Sequence, residues 1–268
     1  MKVRHIFLVI FLFLNNSFAG IKEAALKVLP ESKIINITGH PDYAPIIWQS
    51  KASKELVGVA VELVEKAFGE LNVKVLFSNS GTWGRAQEEV KEGRMDLLLP
   101  PYINDDRVLH YEYYKNPILM DETVVFVKKE SKLKYVKNED LQTKTGVAII
   151  DDSFGSEFDK FMKEKLKVER LTKTENCFEF LMNDRADYMI AGLNSGLAMA
   201  TKLGIENKVK ILPKRIITTG LYIPFSKKSP WNKPEIHEFI NQRIASYVKN
   251  GLDKKLVKKY WDLLKAEK

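Results

Sequence analysis

Cysteine is almost absent from this chain of 268 residues, since Cys177 is the only one. A single cysteine excludes an internal disulfide, and no Cys-x-x-Cys pattern is present. Cys177 stands beside Phe178 on an apolar helical face. This position predicts a buried structural thiol, because an unpaired cysteine usually behaves as a small apolar side chain.

Signals of catalysis are also scarce. The chain has four histidines, of which His40 and His110 fall in segments predicted to be loops. It contains no HExxH, GxSxG or phosphate-binding Walker pattern. Unpaired surface carboxylates are commoner than catalytic acids, and this interpretation applies to the acidic residues Asp42, Asp105 and Asp106. We therefore expect no catalytic residue, cofactor or metal.

Long apolar runs are missing except at the N-terminus. The run from Ile6 to Leu14 follows two basic residues and is too short to span a bilayer. Ser17 and Ala19 provide small residues at the −3 and −1 positions of a cleavage site before Gly20. We therefore predict a signal peptide over residues 1–19 and export to the periplasm; the alternative is a short anchor that is retained. The processed chain would begin at Gly20, so its N-terminus would have no cysteine for lipid attachment.

Charge is unbalanced but dispersed. Lysine and arginine number 43 against 35 acidic residues, so the formal net charge is +8. Basic residues that cluster with aromatic residues along a groove would indicate nucleic-acid binding, and no such cluster is present. The lysine pairs at 254–255 and 258–259 recur at helical spacing among apolar residues, which is typical of the solvated face of a helix.

A short phrase occurs twice. Gly93–Leu99 reads Gly-Arg-Met-Asp-Leu-Leu-Leu, and Asp184–Ile190 reads Asp-Arg-Ala-Asp-Tyr-Met-Ile. Each copy follows a helix-like stretch and opens an apolar run, which predicts a helix end, a turn and a buried strand. One such unit in each half favours two similar α/β lobes with a ligand cleft between them. Coincidence is the alternative, because such turns are common.

The wider pattern supports a mostly parallel sheet in each lobe. Predicted core strands are Ile34–Thr38, Val73–Phe77, Leu97–Leu99, Gly146–Ile150 and Asp187–Ala191. The β-rich stretches Thr123–Lys128 and Ile216–Ile223 are predicted crossings between lobes, and two final helices return to the first lobe. We accordingly assign lobe 1 to residues 20–124 and 217–268, and lobe 2 to residues 125–216.

Candidate ligand-binding residues lie in loops that follow the predicted strands, where open α/β sheets bind their ligands. Tyr43 and Trp83 are aromatic faces suited to clamping a ligand, unless they are core residues. The guanidinium of Arg107 can donate two hydrogen bonds to a ligand carboxylate. The alternative is that Arg107 pairs with a neighbouring aspartate. Gly155 and Ser156 open a helix whose free N–H groups attract anions, although Ser156 is also explained as an N-cap.

These residues resemble the first lobe of the family 3 periplasmic solute-binding proteins, which include the polar amino-acid receptors of ABC importers. The resemblance covers about residues 32–262. It is carried by Tyr43-Ala44-Pro45, Leu56-Val57-Gly58, Trp83, Gly93-Arg94-Met95-Asp96-Leu97, Arg107, Asn250-Gly251 and Lys259-Tyr260-Trp261.

The resemblance implies a type II periplasmic-binding-protein fold, with two lobes, two hinge strands and a ligand trapped by closure. It implies that Tyr43 and Trp83 sandwich the ligand, that Arg107 pairs with its carboxylate, and that Gly155 and Ser156 donate to that carboxylate. The protein is then expected to be a monomer with a small-molecule ligand. Its partner is expected to be an ABC permease or a membrane sensor in another chain.

Two departures from the family pattern affect the expected ligand. Pro100-Pro101-Tyr102 replaces a Ser/Gly-rich stretch, and proline has no N–H to offer. Near Gly192 the family has an aspartate that grips an ammonium, whereas this chain has Gly192-Leu193-Asn194. With Tyr102 and Asn194 counted as site residues, the site keeps its carboxylate half and lacks its amine half. We predict a small carboxylate, or another anionic or neutral solute, instead of an ordinary α-amino acid.

Two alternative functions remain open at this point. Some relatives on the same scaffold resemble prephenate or arogenate dehydratases, in which a cleft acid expels water from a ring. A sensory role is the other alternative, with the closed form docking on a membrane signalling protein. We expect no transmembrane or signalling segment fused to this chain.

Overall fold

The computed structural model describes residues 18–266. Most of the predicted signal peptide lies outside this range. A helix, α1, covers residues 18–27 and so includes the predicted cleavage point after Ala19. Phe18 packs against Phe239, with ring centroids 5.6 Å apart. None of the helices within 18–266 combines the length and apolar character needed to cross a membrane.

The first part of the chain alternates short strands with helices. Its elements are β1 (Ile34–Gly39), β2 (Asp42–Tyr43), β3 (Ile47–Gln49), β4 (Leu56–Val57), α2 (Val59–Gly69), β5 (Lys74–Ser78), α3 (Trp83–Lys91), β6 (Leu97–Leu99), α4 (Arg107–His110) and β7 (Tyr111–Glu112).

The second part repeats the alternation and then returns. Its elements are β8 (Leu119–Lys128), a 3-10 helix (Asn138–Leu141), β9 (Thr145–Ile149), α5 (Ser156–Lys165), β10 (Lys167–Leu171), α6 (Thr174–Met182), β11 (Tyr188–Gly192), α7 (Leu193–Lys202), β12 (Val209–Ile211), β13 (Ile217–Leu221), β14 (Phe225–Ser226), α8 (Pro234–Lys249) and α9 (Leu252–Ala266).

Two separate sheets define two lobes. The lobe 1 sheet has the order β5-β1-β6-β14-β7, with β1 parallel to β5 and β6. The lobe 2 sheet has the order β10-β9-β11-β8-β12, and β13 also pairs with β8. The chain leaves lobe 1 along β8 and returns along β13. The predicted boundaries at 124/125 and 216/217 fall within β8 and at the start of β13, and remain a prediction.

Each sheet has its own apolar core. In lobe 1, helices α2, α8 and α9 pack on one another beside the sheet, around fully buried Phe225 and Trp231. In lobe 2, apolar clusters cover both faces of the sheet, one around Phe178 and the other around Tyr188. The predicted core strands and the return of the last two helices are confirmed. Cys177 is buried as predicted.

The structure corrects two loop predictions. Asp42 and Tyr43 form strand β2, which pairs with β3. Helix α7 begins at Leu193, so Asn194, which was expected in a loop after a predicted strand, lies in a helix. Asn, Ser and Gly disfavour helix locally, but packing against the sheet overrides that preference. A Cβ on Gly196 would collide with the ring of Phe126, so glycine lets α7 approach β8 closely.

The repeated phrase is a structural repeat. Asp96 Oδ2 accepts from the Asn36 N–H at 2.8 Å, and the Asp96 N–H donates to the Asn36 carbonyl at 2.7 Å. Asp187 makes the same two contacts with Thr145, again at 2.8 and 2.7 Å. Each aspartate therefore joins its own strand to the neighbouring parallel strand.

We expect Asp96→Ala to destabilise the protein more than Asp187→Ala. Asp96 is buried and also accepts from the Ser229 hydroxyl at 2.6 Å, whereas Asp187 is exposed. Losing Asp96 leaves the buried Ser229 hydroxyl and the partly buried Asn36 N–H unpaired, at a cost of about 1–3 kcal/mol. Urea unfolding of both variants measures the difference. Equal losses would contradict this assignment.

Candidate functional site

The candidate site lies between the lobes, beyond the carboxyl ends of their parallel strands. A small cavity of about 20 Å³ remains there, roughly the space of one water. Residues of both lobes line it: His40, Tyr43, Trp83, Pro100, Pro101, Tyr102, Arg107, Asp152, Ser153, Phe154, Gly192 and Leu221. Four predicted site residues, Tyr43, Trp83, Tyr102 and Arg107, thus meet at one cavity.

Arg107 is the buried cation of this cavity, with 5% of its surface exposed. Its guanidinium donates to Gln87 Oε1 at 2.9 Å, to the Tyr102 carbonyl at 3.1 Å and to the Asp151 carbonyl of lobe 2 at 3.2 Å. All three acceptors are uncharged. Among the ion pairs within residues 18–266, none involves Arg107.

Two further donors line the cavity without a partner. The ring nitrogens His40 Nε2 and Trp83 Nε1 are buried, and no atom of the described chain accepts a hydrogen bond from either. His40 Nδ1 accepts from the Asp42 N–H at 3.0 Å, so the neutral ring carries its proton on Nε2. Burial lowers the pKa of His40 to about 3, which keeps it neutral. This end of the site therefore holds two unpaired donors beside the Arg107 guanidinium.

Two acids complete the site, the buried Asp121 and the partly buried Asp152, and sequence reasoning missed both. Asp152 Oδ1 lies 3.9 Å from His40 Nε2. Asp121, on β8, is 1% exposed, and its Oδ2 accepts from the hydroxyls of Tyr43 at 2.5 Å and Tyr102 at 2.8 Å. Burial raises the pKa of both acids, that of Asp152 to about 7. Strand alternation, which puts Asp121 on the same face as Thr123 and Val125, was the available signal.

The family model for bacterial extracellular solute-binding proteins, family 3, matches residues 35–262. This chain belongs to that family. The match spans both lobes and every residue of the cavity. No curated protein sequence matches the chain significantly.

Solved structures support the same architecture. AbpA from Streptococcus pneumoniae bound to L-arginine has a TM-score of 0.73 at 19% identity, covering 87% of this chain and 96% of that one. Holo ArgBP from T. maritima has a TM-score of 0.69 at 19% identity, covering 86% and 96%. A histidine kinase sensor domain with similarity to periplasmic binding proteins has a TM-score of 0.70 at 17% identity, covering 85% and 95%. At such identities the likeness establishes the two-lobed fold alone.

In this solute-binding protein, the other predicted site residues lie beside the cavity. Gly155 is the N-cap of α5, with φ 89°, and its N–H faces Ser153 Oγ at 3.4 Å. Ser156 Oγ accepts from the Asp105 N–H of lobe 1 at 3.2 Å. Asn194 Nδ2 lies 3.5 Å from Asp121 Oδ1. Their roles as ligand contacts remain predictions.

Position 192 has no side chain, and the carboxylate of Asp121 lies beside it. A Cβ on Gly192 would collide with the Tyr43 hydroxyl and would lie 3.0 Å from Asp121 Oδ2. The carboxylate of Asp121 thus lies beside the space that a side chain at 192 would enter. A buried acid therefore lies beside Gly192, and the predicted lack of an amine-binding half of the site remains a prediction.

A larger cavity of about 650 Å³ adjoins the site, and His40 lines both cavities. It lies between the β2–β3 hairpin and helices α6, α7 and α9. Its lining is mixed, with Trp48, Met199 and Leu264 beside Asp42 and Lys202. The side chain and backbone N–H of Thr174 hydrogen-bond Asp42, so this acid joins lobe 1 to α6 of lobe 2.

We expect Asp152 to make the protein less stable as the pH rises from about 4 to about 7, in opposition to His40, whose folded pKa of about 3 favours folding as the pH rises over the same range. The pKa of Asp152 is about 7 in the folded protein against an ordinary 3.8, mainly because of burial, although Arg170 and Arg107 oppose the shift. Between these values the folded state holds a proton that the unfolded chain has lost, so a rising pH favours unfolding. Urea unfolding across this range should show that the Asp152→Asn variant gains stability relative to the wild type as the pH rises. Identical profiles would contradict the assignment.

Proposed function

We propose that this protein is an exported receptor that captures a small, carboxylate-bearing solute between its lobes for ABC-type uptake. The observation that supports this most is the buried Arg107 guanidinium, which has only uncharged acceptors. A buried charge without a counter-charge is costly. A solute carboxylate would offset that cost and form a bidentate pair with the guanidinium.

Lobe closure follows from the same contacts. Arg107 belongs to lobe 1, yet one of its acceptors is the Asp151 carbonyl of lobe 2. A carboxylate held by Arg107 would face the N-terminus of α5 in lobe 2, whose free N–H groups favour an anion. The solute would then contact both lobes at once. Because it binds the closed state better than the open state, it shifts the population towards closure.

A ligand screen tests the proposal. Thermal-shift measurements would compare small carboxylates with their uncharged amides and with amines, because a ligand of the folded state raises its melting temperature. Isothermal titration calorimetry would then measure the affinity of each hit. We expect carboxylates to bind and their amides to fail. Equal binding of a carboxylate and its amide would refute the carboxylate assignment.

The partner is proposed to be a permease, with a membrane sensor as the second candidate. Family membership favours import, whereas the similar sensor domain shares the fold alone. Uptake of the identified solute by cells lacking this gene separates the two. Loss of uptake supports the permease, and unchanged uptake with a lost transcriptional response supports the sensor.

An enzyme related to dehydratases is a weaker candidate, favoured by Asp152 beside His40. An acid with a pKa of about 7 suits general acid–base chemistry near neutral pH. Turnover of prephenate or arogenate by the purified protein would establish it. We propose binding without turnover.

A further inference from the structure

Two buried N–H donors of lobe 1 lie side by side at the small cavity that Arg107 lines. His40 follows β1 directly, and Trp83 is the first residue of α3. Each is 5% exposed, and their ring centroids are 5.1 Å apart. The guanidinium carbon of Arg107 lies 5.4 Å from the centroid of the Trp83 ring. Donors from three residues therefore surround a space of about 20 Å³.

Neither ring nitrogen has an acceptor in the part of the chain that the structure describes. The atoms concerned are His40 Nε2 and Trp83 Nε1. The other nitrogen of His40 accepts from the Asp42 N–H at 3.0 Å, so the proton of the neutral ring is on Nε2. Because buried polar groups are almost always hydrogen-bonded, we expect an oxygen of the bound solute to accept from this pair.

The carboxylate proposed to bind Arg107 is not needed as that acceptor. A guanidinium has five N–H groups. Three of them donate to Gln87, to the Tyr102 carbonyl and to the Asp151 carbonyl, which leaves one N–H on each terminal nitrogen. Two such N–H groups are what a bidentate pair with a carboxylate uses. The donors of His40 and Trp83 are therefore left for a second oxygen of the solute.

The surroundings of the two rings favour an uncharged oxygen. Asp152 Oδ1 of lobe 2 lies 3.9 Å from His40 Nε2, so a second anionic group would face a carboxyl group there. Neutral N–H donors alone would have to offset the burial of its charge. A carbonyl oxygen has two lone pairs and no proton, so it matches two N–H donors.

We infer that His40 and Trp83 form a subsite for an uncharged carbonyl oxygen next to the carboxylate of the solute. Because the donors surround a space of roughly one water, the carbonyl and the carboxylate belong to adjacent carbon atoms. The solute class is then a 2-oxo carboxylic acid. The inference rests on the proposed capture of a carboxylate by Arg107 and adds the group that distinguishes one carboxylate from another.

Calorimetric titration with acids that differ only at carbon 2 tests this inference. The probes are butyrate, 2-oxobutyrate, 2-hydroxybutyrate, 2-aminobutyrate and ethylmalonate, which carries a second carboxylate there. We expect the wild-type protein to bind 2-oxobutyrate about tenfold or more tighter than butyrate, and tighter than each of the other probes. Equal affinities for 2-oxobutyrate and butyrate, or tighter binding of any other probe, would overturn the inference.

Trp83→Phe is the decisive variant, because it keeps an aromatic ring and removes the N–H. We expect the preference for 2-oxobutyrate over butyrate to fall by about fivefold, while the affinity for butyrate changes less than about threefold. An unchanged preference, or an equal loss for both acids, would leave Trp83 with a packing role only and would contradict the subsite.

A matched control and a second variant complete the test. Trp261→Phe also removes an indole N–H, but Trp261 is on α9 and lines neither cavity, so the preference should stay intact. If Trp83→Phe fails to fold, His40→Leu removes the other donor and should reduce the same preference. The comparison of probes on the wild-type protein decides the inference even if neither variant folds.

Failure of the inference and failure of the proposed function give different results. If carboxylates bind the wild-type protein without a preference for the 2-oxo acid, the subsite is refuted and capture by Arg107 stands. If no carboxylate binds, the proposed function fails and the subsite fails with it.

Discussion

Replacing Arg107 by alanine is expected to weaken binding of the carboxylate solute by about 2–4 kcal/mol, or roughly 30- to 700-fold in Kd. The guanidinium is buried and forms no ion pair within the described residues, so a ligand carboxylate would be the first carboxylate bonded to it. Removing it leaves that carboxylate desolvated and unpaired. Calorimetric titration of wild-type and variant protein with the same ligand measures the loss.

Two further variants control this experiment. Arg107→Lys keeps the positive charge but loses the paired N–H donors of the guanidinium, so it should recover part of the affinity. It also shows whether the loss in Arg107→Ala comes from damage to the fold. Arg94→Ala removes an arginine that pairs with Glu89 outside the cavity, and its affinity should match the wild type. An Arg107→Ala variant that folds normally and binds with unchanged affinity would exclude Arg107 from the ligand contacts.

Gly58→Ala is expected to destabilise the protein by about 3–5 kcal/mol, from strained backbone and overpacking together. Gly58 has φ 137°, a conformation that side chains rarely permit. An added Cβ would collide with the carbonyl oxygen of Ile46 and lie 2.9 Å from the Ile47 Cα. Backbone atoms cannot rotate away as a side chain does. The segment is also held by the bond from Ala60 N to Ile46 O at 2.9 Å.

Gly69→Ala provides the matched control in the same helix. Gly69 is exposed at the end of α2, and an added Cβ would meet nothing within 4 Å. It should be neutral or stabilising by about 0.5–1 kcal/mol, because alanine favours helix over glycine. Thermal unfolding of both variants tests the contrast. Similar melting temperatures for the two would show that the backbone at Gly58 yields more easily than the geometry indicates.

The sequence predicted the elements of this fold well because the responsible signals are local. Apolar runs located β1, β6 and β11, and the repeated Arg-x-Asp phrase located two equivalent helix-to-strand turns. Helix α7 was not predicted, because the interactions that stabilise it are tertiary contacts and not local preferences of its residues. Its polar first turn and Gly196 disfavour helix in isolation, and packing against β8, β11, α6 and α9 compensates.

The same division applies to the candidate site. By itself the sequence determined the two α/β halves, membership of a solute-binding family, and the set of Tyr43, Trp83, Tyr102 and Arg107 that meets at one cavity. Only the tertiary structure decided that Asp121, distant in the chain, lies beside Gly192. These residues become neighbours because β8 pairs antiparallel with β11, with Thr123 opposite Gly192. Such pairing joins residues far apart in the chain, and no local pattern specifies it.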